Sequence, residues 1–332
     1  MSNQDILVCG EIVEGKLAPI TLELLGAGKK LASALGQSLS ILLMTDKIGN
    51  LAQEAIAYGA DKVYTAENSI LSAYNSDAFT ETTTKLCQKI NPDIVLLGQT
   101  DTGRDIAPRL VARLQGGLAM DCTDLVIDPE TKLLVQTRPV FGGNANATYI
   151  TKNAKPQIAT IRPKAMTPAE QDESRKGEII SINDMVDPTS VKIKVIERIK
   201  EKTEGVKLEE AEVVVSGGRG VGSADNFQKL WELAKLLGGA VGATRAACED
   251  GWIPMTHQIG QTGKIVSPNL YIAIGISGAM QHVAGCSGSK CMVAINKDAN
   301  ANIFKVAHFG IVADYKEALP ALTQKFEELK AK

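Results

Sequence analysis

The chain has 332 residues, 44% hydrophobic and 22% charged, with a formal net charge of -2. That length suggests about two domains with cores of their own, and the near-neutral balance marks neither nucleic acid nor an anionic membrane as a partner. Three histidines leave little material for a His-based metal site, and the six cysteines contain no C-x-x-C pair. They read as reduced, mostly buried thiols of a cytoplasmic protein rather than zinc or iron–sulfur ligands. The N-terminus lacks a basic segment followed by an apolar run, and no apolar run approaches the ~18 residues of a membrane span.

Short apolar runs alternate with helical patterns from the start. Strands are expected over 6–8, 40–45, 62–64 and 94–98, and helices over 19–35, 51–58, 77–90 and 105–115. Such β–α alternation predicts a parallel sheet covered by helices on both faces. Strand-like runs then follow one another over 125–128, 133–138, 147–151 and 157–161, which suggests antiparallel strands added to the sheet edge. Residues 162–209 turn polar and charged, with Pro163 and Pro168. They predict an extended connector over a surface or a partner, with one strand over 191–196.

A second β–α pattern starts at Glu212. It gives strands over 213–215, 240–244, 271–276, 291–295 and 311–313, and helices over 224–237, 280–284 and 317–330. The expected organisation is two doubly wound α/β domains with mostly parallel sheets, 1–208 and 209–332, the second Rossmann-like. Ligands of such sheets bind beyond the carboxyl ends of the strands, where every polar motif of this half lies.

SGGRGVG joins a strand to a helix with glycines at Gly218, Gly220 and Gly222. Glycine permits close backbone approach and a helix N-terminus favours an anion. The spacing is not G-x-G-x-x-G, and the next strand ends in Thr244-Arg245 rather than an acid, so the NAD fingerprint is missing. A plain strand–helix turn explains the loop equally well. Arg245 offers fixed charge and several donors, or a surface ion pair. QIGQTGK, with Gln258, Gln261 and Thr262 among glycines, suits the edge of a planar hydrogen-bonding ring. GISGAMQH runs a buried strand through a small-residue turn into a helix, so the amides of Ser277, Gly278 and Ala279 would face a pyrophosphate. Gln281 and His282 fall on the first helical turn. Asn296, Asp298 and Asp314 could bind a ribose or cap a helix. In the first half, Thr100 or Asp101 of QTDTGRD could simply cap a helix, and no glycine-rich phosphate loop is present, so no nucleotide is expected there. No Ser–His–Asp order, metal cluster or paired carboxylates stands out. A cofactor cradle without an acid–base set suits electron transfer.

Together SGGRGVG, VGATRAACEDGWIP, QIGQTGKIVSPNLYIAIGISGAMQH and VAINKD resemble the alpha subunit of electron-transfer flavoproteins, continuously over about 212–314. GRDIAPRLVARL, GLAMDCTDL and TRPVFGGN extend the resemblance to nearly the whole chain. It implies one FAD in the C-terminal domain, a smaller beta subunit as obligate partner, and an electron carrier, alone or as part of a bifurcating oxidoreductase complex. By motif, Arg219 and Thr244 would contact FAD, and Arg245 would sit by the flavin ring. Ile259, Gly260, Gln261 and Thr262 would line the ring or adjoining chain. Ser277, Gly278, Ala279, Met280, Gln281 and His282 would hold the pyrophosphate, ribityl and ring, with Arg245 and His282 closest to the chemistry and His282 near the flavin O2. Asn296 and Asp314 would serve the adenosine end. Thr244 stands where many members have Ser, keeping the hydroxyl.

The resemblance implies electron exchange with a dehydrogenase of the acyl-CoA dehydrogenase type or similar, the donor of members from aerobic respiratory chains. The first-half motifs look more like a group common in anaerobes, whose beta subunit carries its own FAD. That group splits an NADH electron pair toward ferredoxin or flavodoxin. The alternative is a nucleotide-binding regulatory or structural subunit without redox activity.

Overall fold

A computed structural model describes residues 5–143, 145–193, 195–197 and 206–330. The chain forms two compact units, Met1–Pro139 with Asn146–Ile199, and Val140–Ala145 with Lys200–Lys332. Among the described residues, no helix is long and apolar enough to cross a membrane, and no group of three or more His, Cys, Asp or Glu could hold a metal ion.

The strands of the first half are β1 (Asp5–Cys9), β2 (Ile12–Val13), β3 (Lys16–Leu17), β4 (Ser38–Thr45), β5 (Lys62–Glu67), β6 (Ile94–Gly98), β7 (Gly117–Cys122), β8 (Asp124–Ile127), β9 (Leu134–Val140), β10 (Ala145–Ile150), β11 (Gln157–Ile161) and β12 (Glu178–Ser181). Its helices are α1 (Pro19–Leu35), α2 (Leu51–Ala57), α3 (Ser76–Ile90) and α4 (Asp101–Leu114). Seven strands form one parallel sheet in the order β12-β5-β4-β1-β6-β11-β7. Its central strands are covered on both faces, which is why they read as unbroken apolar runs. The two faces feed separate cores by the two-residue alternation of strands: Ile6, Val8 and Ile41 on one side, Leu7, Cys9 and Leu42 on the other.

Two expectations are corrected here. The antiparallel strands do not extend the main sheet: β8, β9 and β10 form a separate three-stranded sheet, while β11 is a parallel strand inside the main one. No strand spans 191–196 in the described residues; 191–193 and 195–197 are irregular, and 194 lies outside them. The connector instead docks on its own unit. Ala169 N donates to Leu22 O and Asp172 N to Ala57 O, Arg175 pairs with Asp61, and β12 adds a parallel edge beside β5. Buried Ile182, Met185 and Val186 anchor its end.

The second unit contains β13 (Val213–Gly217), β14 (Ala240–Ala243), β15 (Leu270–Ile274), β16 (Cys291–Asn296) and β17 (Phe309–Val312), with α5 (Ala224–Leu237), α6 (Arg245–Glu249), α7 (Met280–Val283) and α8 (Tyr315–Lys330). Its five-stranded sheet runs β14-β13-β15-β16-β17, every pairing parallel. The chain leaves β13 to one side and returns to the other, so β13 and β15 flank the switch point where such folds take ligands.

Candidate functional site

Strand register assembles the site. Gly217 pairs with both Ala243 and Ile274, and Ile274 with Ile295, so the segments that follow emerge abreast at the carboxyl edge.

Two glycine turns meet at the switch point. Gly218 N donates to Ile274 O (2.9 Å) and Gly220 N to Gly275 O (3.0 Å). A Cβ on Gly218 would lie 2.3 Å from Gly275 O, and one on Gly220 2.8 Å from Gly275 Cα. The glycines of SGGRGVG thus serve an approach between two protein turns, and the amides of Gly218 and Gly220 are spent on that seam. Arg219 projects outward, its Nε donating to Asp250 Oδ2 at 2.9 Å.

After β14, Thr244 N donates to Gly217 O, and the Thr244 side chain caps α6 by accepting from Ala247 N. Arg245 opens that helix. It is exposed, and its Nε donates to Glu249 Oε1 at 2.8 Å.

Residues 258–264 form a closed loop: Gly260 N donates to Lys264 O, Gly263 N to Gly260 O and Lys264 N to Gln258 O. Gln258 is buried, its amide donating to Thr262 Oγ1 at 3.0 Å, so it braces the loop from within. Gln261 and Thr262 are exposed, while Ile259 and Gly260 are buried.

Beyond β15 the chain turns at Gly275 (φ 62°) and Gly278 (φ 85°), a region that favours glycine. Ser277, Ala279, Met280 and Gln281 are exposed around this turn. The first helical donors to find acceptors are His282 N and Val283 N, both bonding Ala279 O. The preceding amides are first-turn donors of the kind that receive anions.

Several of the residues expected at the ligand also have protein partners of their own. Gly278 backs onto protein: a Cβ there would lie 2.1 Å from Ile303 N. His282, expected beside a flavin, is buried with both ring nitrogens engaged, Nδ1 at 3.0 Å from Ile259 O and Nε2 at 2.9 Å from the Tyr271 hydroxyl. Burial holds its pKa down at about 4, so the imidazole is neutral. Asn296 spends its side chain on the turn, Nδ2 donating to Ile276 O and Oδ1 accepting from Asp298 N. Asp314 accepts from Lys316 N in the first turn of α8, a capping role.

Along one edge, then, lie two arginines, the exposed polar side chains Gln261, Thr262, Ser277 and Gln281, and the first-turn amides that precede His282 N. This donor set suits an anionic ligand. Sequence reasoning missed Glu249, Asp250 and Tyr271. Glu249 stands four residues after Arg245, a spacing that signals a helical ion pair; the other two are brought in only by the fold.

The electron transfer flavoprotein domain matches residues 6–186, and the electron transfer flavoprotein FAD-binding domain residues 207–287. An electron transfer flavoprotein subunit alpha of Thermoanaerobacterium thermosaccharolyticum is 44% identical over 327 residues, 98% of this chain and 99% of that protein. The subunit of the same name from Bacillus subtilis is 45% identical over 325 residues, 98% of each chain. A protein FixB of Clostridium saccharobutylicum is 44% identical over 325 residues, 98% of this chain and 96% of that protein.

Proposed function

This chain belongs to the electron transfer flavoprotein alpha-subunit family, and on that premise we propose that it binds one FAD along the carboxyl edge of its five-stranded sheet. Paired with a beta subunit, it passes electrons between a dehydrogenase and a further redox partner. The observation that carries the reading is the co-alignment, at one switch point, of the 275–281 turn with Arg219, Arg245 and the 258–264 loop. Bound FAD supplies reversible electron uptake and release; the chain supplies binding, orientation and charge. The amides and exposed side chains of the 277–281 turn take the pyrophosphate. Gln261 and Thr262 address the ring or its adjoining chain. Arg245 and Arg219 place positive charge near the redox centre, where it stabilises negative charge by Coulomb attraction. Asn296 and His282 act behind this surface by holding its turns.

The test is to purify the chain alone and with its beta subunit, record a visible spectrum and count flavins. A colourless pair that takes up no FAD would refute the reading. The finer reading, NADH-dependent bifurcation toward ferredoxin or flavodoxin, requires a second FAD in the beta subunit. A pair with one FAD excludes it and leaves the single carrier.

A further inference from the structure

The 258–264 loop rides on the backbone of α7. Gln261 N donates to Gln281 O and Val266 N to Gly285 O, both at 2.8 Å. A Cβ on Gly285 would lie 2.3 Å from Gly260 N, so at this point the two segments touch main chain to main chain. Under this seam lies His282. A carbonyl only accepts, so the Nδ1 that faces Ile259 O carries the ring proton, and Nε2 accepts from the Tyr271 hydroxyl. Tyr271 is fully buried in β15, and its ring sits 6.2 Å from the imidazole between centroids. The Ser216 hydroxyl and Cys286 thiol flank the same phenol.

We infer that Tyr271 is a positioning residue: its hydroxyl, donating to Nε2, holds the His282 imidazole in the orientation that aims Nδ1–H at Ile259 O, and His282 in turn clamps the 258–264 loop to the 277–283 turn. The inference rests on the proposed FAD site, because these two segments carry Gln261, Thr262, Ser277 and Gln281. The Ile259 carbonyl sets which nitrogen is protonated, and the hydroxyl on the far side fixes the ring's orientation, the device that orients histidine ligands from behind. Without the Tyr271 hydroxyl, Nε2 loses its donor. Moving the proton to Nε2 brings no relief, because it leaves an unpaired donor there and turns the Nδ1 lone pair on the Ile259 carbonyl. The ring keeps its tautomer but is free to turn, and the clamp loosens.

The experiment uses the full chain, with and without FAD. Long-range 1H–15N correlation reads the His282 tautomer, amide hydrogen exchange reads the loop, and titration reads FAD affinity. The wild type should show the proton on Nδ1. Tyr271→Phe should keep the proton on Nδ1, speed exchange at Gln261 and Val266 about tenfold, and weaken FAD binding about tenfold, the scale of one hydrogen bond. Exchange in β13–β16 should stay unchanged. His282→Asn, whose amide nitrogen takes the place of Nδ1, should retain loop protection and abolish the effect of Tyr271→Phe. A wild-type proton on Nε2 would overturn the inference, as would a Tyr271→Phe protein with wild-type loop exchange. Tautomer and exchange are read without cofactor, so a chain that bound no FAD would end the proposed function while leaving the clamp intact.

Discussion

Arg245 and Arg219 both leave the carboxyl edge exposed, and each is met by an acid from the end of α6: Glu249 at 2.8 Å and Asp250 at 2.9 Å. Exposed pairs of this kind contribute little stability, so their consequence is electrostatic. If Arg245 lies by the flavin ring, Arg245→Ala should lower its reduction potential by tens of millivolts, about 60 mV per 1.4 kcal/mol for one electron. Arg245→Lys should recover part, since an ammonium lacks the planar fork. Glu249→Gln should shift the potential the other way by removing the opposing charge. Spectroelectrochemical titration of the FAD-loaded chain decides, and equal potentials in all three variants remove Arg245 from the redox centre. His282 gives a pH signature instead. Burial lowers its folded pKa to about 4, against roughly 6.5 in an unfolded chain. Between these values the unfolded chain holds a proton that the folded one does not. Stability of the C-terminal unit should therefore be full above about pH 6.5 and fall as pH drops toward 4. Glu11 and Glu23, whose pKa values burial raises, act in the opposite sense but belong to the N-terminal unit. Hydrogen exchange resolved by unit separates the two, and His282→Asn should flatten the C-terminal profile. An unflattened profile would assign the slope to another group.

At the scale of elements, the turn after β15 is held by its own backbone packing. Gly278 combines φ 85° with a Cβ position 2.1 Å from Ile303 N. The left-handed conformation alone costs about 1–2 kcal/mol for a residue with a side chain, and the clash forces the 302–303 backbone aside. Gly278→Ala should lower the melting temperature of the chain even without FAD, whereas Gln281→Ala, at an exposed position, should leave melting unchanged and weaken FAD binding. A Gly278→Ala protein of full stability would mean the turn does not pack this way. The turn itself was legible in the sequence, because a buried apolar strand followed by small residues and a helical start has few other readings. So were β1, β4 and β6, whose buried runs carry their own signal. The strand β12 was not: its four residues are mostly exposed at an edge, and what seats them is the burial of Ile182, Met185 and Val186 further on. The parallel register of β11 was hidden as well, since neighbours in a sheet are chosen by crossovers that a linear pattern does not encode. The same holds for Asp250 under Arg219, 31 residues apart, and Tyr271 under His282, 11 apart.

At the scale of the molecule, the two parallel sheets have equivalent switch points with opposite chemistry. In the second unit the crevice between β13 and β15 is rimmed by arginines and first-turn amides. In the first, the crevice between β1 and β6 is filled by the protein's own acid. The Glu11 carboxylate accepts the Thr100 hydroxyl at 2.6 Å, and Thr100 in turn caps α4 by accepting from Gly103 N at 3.1 Å. A Cβ on Gly98 would lie 2.8 Å from Glu11 Oε1 and equally close to Ile20, so the space is filled. Burial first, and the nearby Asp101 charge as well, push the Glu11 pKa up. A phosphate approaching this helix terminus would have to displace a half-buried carboxyl group and face a second acid. Helix N-termini favour anions, but here the chain has supplied its own. The expectation is that the FAD-loaded chain takes up no AMP, ADP or NADH in its N-terminal unit, leaving that unit free of cofactor duties. Calorimetric titration with each nucleotide, run beside amide chemical-shift mapping, checks this. Saturable one-to-one binding with shifts confined to residues 10–12 and 99–103 would show that Glu11 yields to a phosphate and that both switch points hold nucleotides. Silence at those residues, with shifts at 275–281 only when FAD is withheld, is the outcome that the acid-filled crevice demands.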